Sequence, residues 1–95
     1  MDPDLPEFMI ADVVSPSAGR ETGKLYYVVG LEGEYILLAN GKDRSLERPK
    51  RKKRKHAKKV LRSETRVAER LRAGDKVLNS ELRRDLAYII NTIGG

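Results

Sequence analysis

Between Arg48 and Arg62 (RPKRKKRKHAKKVLR) the chain carries ten Lys or Arg side chains, one His and no carboxylate. The chemistry open to such a stretch is the neutralisation of phosphate. Lys offers a compact cation, and Arg adds a planar fork that hydrogen-bonds an anion through two donors at once. The formal net charge of the whole chain is +6, so everything outside the stretch sums to −4 and the basicity is local. Self-repulsion at this density costs free energy unless counter-ions or a polyanion offset it. Burial is excluded, because each unpaired charge taken out of water costs several kcal/mol. The stretch therefore faces water or phosphate, as a solvated tract, a nuclear-import address or a nucleic-acid contact.

Catalysis has little to work with. His56 is the single His, lies inside the cationic run, and has neither an orienting carboxylate nor a second ligand at a metal-binding spacing. The absence of Cys removes a thiol nucleophile, a disulfide framework and a thiolate metal site. Glu32 and Glu34 flank Gly33 in an expected turn, where solvated carboxylates are ordinary. Three residues separate Gly19 from Gly23 and Leu25 follows Lys24, whereas a P-loop needs four residues between its glycines and Ser or Thr after the Lys. The expectation is a binding protein, not an enzyme, with no cofactor and no metal.

The elements that must carry the cations follow from hydrophobic patterning. Residues 1–7 combine two Pro with three carboxylates and read as a flexible arm. Phe8–Val14 is the first expected strand and Ser15–Gly23 a loop. Lys24–Val29 is the strongest strand, placing Leu25, Tyr27 and Val29 on one face and Tyr26 and Val28 on the other. Gly30–Glu34 turns the chain into Tyr35–Ala39. Asn40-Gly41 is a type I′ hairpin signal, which predicts that Lys42–Leu46 folds back on Tyr35–Ala39 and projects Lys42 and Arg44 from one face. Pro49 ends that strand, and Arg54–Ala57 is expected as a short Lys-protected edge strand. Ser63 is placed to cap a helix running to Ala73, with Val67, Ala68 and Leu71 inward, Gly74 as its stop, and Arg62, Arg66 and Arg70 in a row outside. Asn79 or Ser80 caps a second helix to Asn91, with Leu82, Leu86, Ile89, Ile90 and Ile93 as its apolar stripe. Tyr26 is the aromatic most able to offer a stacking face, although core packing is its more ordinary use.

Several of these residues together, Asp12-Val13-Val14-Ser15, Ala18-Gly19-Arg20-Glu21-Thr22-Gly23-Lys24, Tyr27-Val28-Val29, Gly41-Lys42-Asp43-Arg44 and Lys55-His56, resemble the KOW-domain RNA-binding proteins of bacteria. These look like relatives of the KOW-bearing large-subunit ribosomal proteins of archaea and eukaryotes. The resemblance covers about Ile10–Lys59 and implies an SH3-like barrel of about five strands. It also implies that Gly19 is the turn glycine, that Arg20 and Lys24 contact phosphate, and that Arg44 is a cation on the later hairpin. Ala11 stands where such sequences often have Gly, and Ala57 follows His56 where Leu is common.

The resulting expectation is a mainly β protein with C-terminal α structure: an arm at residues 1–7, a KOW SH3-like barrel at 8–59 including the basic segment 48–59, and a helical hairpin at 60–95. Its expected partner is RNA, ribosomal RNA or a ribosomal subunit above all, in the cytoplasm and away from membranes. The contacts are expected from Arg20, Lys24, Lys42, Arg44, Arg48, Lys50, Arg51, Lys52, Lys53, Arg54, Lys55, His56, Lys58, Lys59, Arg62 and Arg66, with Gly19, Gly23 and Gly41 as turn residues. Fully extended, Arg48–Lys59 reaches up to about 40 Å, enough to follow several phosphates. The rival expectation is a protein-interaction or transcription- or translation-associated adaptor that docks a partner through the C-terminal helices.

Overall fold

The computed structural model describes residues 7–16 and 24–94. The chain forms β1 (Asp12–Pro16), β2 (Tyr26–Glu32), β3 (Tyr35–Ala39), β4 (Lys50–Lys53), a 3-10 turn (Arg54–His56), β5 (Ala57–Arg62), α1 (Arg66–Ala73) and α2 (Asn79–Gly94). The five strands make one antiparallel sheet in the order β4-β3-β2-β1-β5, so the molecule is mainly β with two C-terminal helices. The two outermost strands of that order, β4 and β5, are consecutive in the chain and joined by the 3-10 turn alone.

Alternation along β2 sorts the core into two layers. Tyr26 and Val28 join Phe8, Val14, Ile36 and Leu38 on one face. Tyr27, with Leu25 and Val29 partly buried beside it, joins Val13 and Ala39 on the other, where Ala68, Val77, Leu82, Leu86 and Ile89 of the helical part cover the sheet. The period-two reading of Lys24–Val29 is thus realised in both layers. Each fully buried large aliphatic side chain contributes about 1.5–3 kcal/mol, so Leu82, Leu86 and Ile89 are the main apolar anchors of α2.

A polar knot pins the same contact. The Tyr27 phenol donates to Asp85 Oδ2 on α2, Ser63 Oγ lies 2.8 Å from the phenol oxygen, and the Thr65 hydroxyl donates to Asp85 Oδ2 at 2.8 Å. Burial, and next the hydrogen bond to the Asp85 carboxylate, push the Tyr27 phenol up to about 12. Thr65 also accepts from the Ala68 amide at 3.2 Å and is the true N-cap of α1, while Gly74 closes that helix in the left-handed conformation at φ 77°. Ser63 was the expected cap; it is buried and turned instead toward Tyr27.

Five expectations are corrected. The first strand begins at Asp12 rather than Phe8, because the chain turns through Ile10 and Ala11, which holds φ 73°. Asn40-Gly41 does not open a hairpin onto Lys42–Leu46: Asn40 Oδ1 instead accepts from the Lys42 and Arg44 amides at 3.0 Å each, and the strand beside β3 is Lys50–Lys53. Pro49 therefore precedes a strand rather than ending one. Arg54–His56 is a 3-10 turn, and Ala57 opens a six-residue strand beside β1. On α2 the apolar stripe is only partly used, since Ile90 and Ile93 are exposed.

Candidate nucleic-acid interface

The basic run is not an extended thread. It is folded into β4, the 3-10 turn and β5, and backbone pairing with β3 and β1 sets where each cation stands. In β4 the register Tyr35↔Lys53 and Leu37↔Arg51 puts Arg51 and Lys53 on one face, and Ile36↔Lys52 and Leu38↔Lys50 put the half-buried Lys50 and Lys52 on the face of Ile36 and Leu38. Arg51 lies over the Tyr35 ring, 3.9 Å from its centroid, with its Nε 3.5 Å from Glu32 Oε1. Lys53 Nζ is 6.0 Å from the same ring centroid.

The 3-10 turn is tied to the β2–β3 turn by the Arg54 amide, which donates to the Glu34 carbonyl at 2.9 Å. Lys53, Arg54 and Lys55 there line a cleft of about 260 Å³ with Gly33 and Glu34, and the buried Arg54 Nε has no hydrogen-bond partner. Lys55, His56 and Lys58 are exposed beyond it, as is Arg48 before β4.

Lys59 and Arg62 are committed to the fold as well. They face Asp12, whose carboxylate is fully buried: Lys59 Nζ stands 3.2 Å from Oδ2 and Arg62 Nε 3.7 Å from Oδ1, while the Met9 amide donates to Oδ2 at 2.9 Å. An unpaired carboxylate in that place would cost several kcal/mol, which two neighbouring cations offset. Lys59 also lies over Phe8, 5.7 Å from the ring centroid. The signal available in the sequence was Asp12 itself, a lone carboxylate inside the apolar run FMIADVV.

A second group of cations gathers away from the run. Lys24 Nζ is 3.2 Å from Asp43 Oδ2, and that bond, helped by Asn40, holds the Asp43 carboxyl below its ordinary range. Lys24, Lys42 and Asp43 share a cleft of about 390 Å³ with Arg83, Leu86 and Ile90 of α2. Arg83 was not among the expected contacts; its membership comes from Gly41, which seats the loop so closely on α2 that a Cβ would stand 2.2 Å from the Asn79 carbonyl oxygen. Arg44 is exposed on the same loop.

The remaining expected residues divide as follows. Gly19, Arg20 and Gly23 lie outside the described residues. Arg66 is exposed at the start of α1, but Arg62 ends β5 and Arg70 binds Glu81 at 2.6 Å, so the three do not form a helical row. Tyr26 is fully buried and offers no stacking face; among the described aromatics Tyr35 is half-buried beneath Arg51 and Tyr88 is exposed on α2. Among the described residues no group of three or more His, Asp or Glu is placed to hold a metal ion, and no helix is long and apolar enough to cross a membrane.

No protein-family model matches the chain, and no curated protein matches it. The functional reading therefore rests on the distribution of charge over the fold.

Proposed function

We propose that this chain is a non-catalytic RNA-binding protein of the KOW type, an SH3-like barrel with a helical hairpin that docks on structured RNA, ribosomal RNA in the first place, in the cytoplasm. The observation that carries the reading is the folding of Arg48–Lys58 into a β4, 3-10 turn and β5 ribbon that displays its cations from fixed backbone. A mobile tract loses side-chain and backbone entropy when it meets phosphate; a ribbon already held by β3 and β1 has lost much of the backbone part on folding. The short link between the two outermost strands is compatible with closure of the sheet into a barrel.

The mechanism is electrostatic docking. Phosphates replace counter-ions along the ribbon, the Lys24, Lys42, Arg44 and Arg83 group fixes orientation, and RNA shape supplies most of the selectivity. The convergence of Lys53, Arg54 and Lys55 on that cleft supports a phosphate as its natural occupant. Co-sedimentation with separated ribosomal subunits over a salt series tests the reading: comigration with one subunit that persists at moderate salt supports it, and failure to comigrate at low salt refutes the ribosomal assignment. One observation favours the adaptor alternative, namely the exposed Tyr88, Ile90 and Ile93 on α2. Leu78, just before the helix, is exposed as well.

A further inference from the structure

The Arg51 guanidinium is held in place before any partner arrives. Its central carbon lies over the Tyr35 ring, 3.9 Å from the centroid, and Glu32 Oε1 stands 3.5 Å from its Nε. Yet the side chain is 61% exposed, and it sits on β4, at one end of the strand order. One face of a planar, weakly hydrated cation is therefore covered by an aromatic ring while the side chain remains largely open to solvent. Two residues along the same face of the strand, Lys53 brings its ammonium to 6.0 Å from the same ring.

A guanidinium plane of this kind attracts a flat π surface, and the lysine beside it attracts an anion; a nucleotide carries both. Bases inside an A-form duplex are stacked on each other and closed to such a plane, whereas an unpaired base at a bulge, loop or end can leave the stack and lie on an Arg guanidinium. We propose that the Tyr35–Arg51 pair is a stacking platform for a single unpaired nucleobase of the RNA, with Lys53 on the adjoining phosphate. This rests on the RNA-binding reading above and adds to it a preference for RNA with a splayed base. Because every base has a π face, the platform selects unpaired over paired nucleotides more than one base over another. The column then runs Tyr35, Arg51, base, and the cation between two π systems keeps its charge for the backbone.

The test compares two RNA hairpins, one fully paired and one with a single unpaired adenosine in its stem, bound by the full chain at near-physiological salt. The expected result for the native chain is about tenfold tighter binding of the bulged hairpin, within the range that stacking of one base gives. Arg51→Lys keeps the charge and loses the plane, so the ratio of the two affinities falls toward unity; Tyr35→Leu, which removes the ring that orients the guanidinium, lowers it in the same direction. Equal affinity of the native chain for both hairpins, or an Arg51→Lys variant that keeps the full ratio, overturns the platform while leaving RNA binding in place. Binding of neither hairpin even at low salt overturns the RNA-binding reading itself and the platform with it.

Discussion

Lys59 Nζ lies 3.2 Å from the buried carboxylate of Asp12, so a cation of the basic run is at once surface charge and part of the core. The Lys59 and Arg62 side chains are 39% and 49% exposed and can regain water, whereas Asp12 cannot. Asp12→Asn is expected to lower stability by about 1–3 kcal/mol through lost charge-assisted hydrogen bonding. Lys53→Gln, on the open face of β4, is expected to move stability by less than about 0.5 kcal/mol. Urea unfolding of the two variants checks the pair of values. A destabilised Lys53→Gln with an unaffected Asp12→Asn contradicts the division between cations that hold the fold and cations that face a partner.

Tyr27 provides a pH test of the sheet-to-helix contact. Its phenol titrates near 12 in the folded chain against an ordinary 10.0, so the folded state holds the proton more tightly than the unfolded chain. The sign follows directly: this contribution is complete below pH 10 and is lost as pH rises toward 12. A shift of that size is worth about 2–3 kcal/mol as an order of magnitude. The comparison of native chain and Tyr27→Phe by denaturant unfolding across that range isolates it from lysine titration. The native advantage over the variant is expected to shrink with rising pH, and a constant difference contradicts the role given to the phenol.

Gly41 and Gly33 both hold positive φ, 78° and 60°, yet only Gly41 is packed. A Cβ at Gly41 meets the Asn79 carbonyl oxygen at 2.2 Å, while at Gly33 nothing lies within 4 Å. Gly33→Ala is expected to cost only the left-handed penalty of about 1–2 kcal/mol. Gly41→Ala adds displacement of the loop from α2 and is expected to cost about 1–3 kcal/mol more. Thermal unfolding of both variants reads the difference, and Gly41→Ala is also expected to weaken RNA binding, because Lys42 and Arg44 move with the loop.

The local rules were legible where local structure decides. The alternation through Leu25, Tyr26, Tyr27, Val28 and Val29 placed each side chain on the face it occupies, and Gly74 stops α1 as its type and position suggest. They failed where a distant partner decides. Asn40-Gly41 has the composition of a hairpin turn, but its glycine is needed for the contact with α2, a relationship no short window contains. Lys50–Lys53 has poor strand propensity and becomes a strand because Tyr35–Leu38 supplies the ladder. Ser63 and Thr65 are equally able to cap; the choice falls on Thr65 because Ser63 is drawn to Tyr27.

Ala11 joins these two scales. It is buried, donates its amide to the Val28 carbonyl at 2.8 Å, and is the one non-glycine with positive φ among the described residues. Ala11→Gly relieves about 1 kcal/mol of backbone strain but loses about 0.8 kcal/mol of methyl burial and some chain entropy, so its net effect is expected within about 1 kcal/mol of zero. Ala11→Val places a branched side chain on the same backbone and is expected to cost more than about 3 kcal/mol. Chemical denaturation distinguishes this from an ordinary core position, where Val would be the milder change.

The central claim, that the ribbon from Arg48 to Lys58 neutralises RNA phosphates, is tested most directly by the salt dependence of binding. Affinity for a ribosomal RNA fragment is measured over a range of salt for the native chain and for a variant with Lys53, Lys55 and Lys58 changed to Gln. With about six phosphates met, the plot of log K against log salt should fall with a slope of about −4 to −5, and the triple variant should flatten it by about 2 to 3. A slope near zero, or one that the triple variant leaves unchanged, contradicts the account.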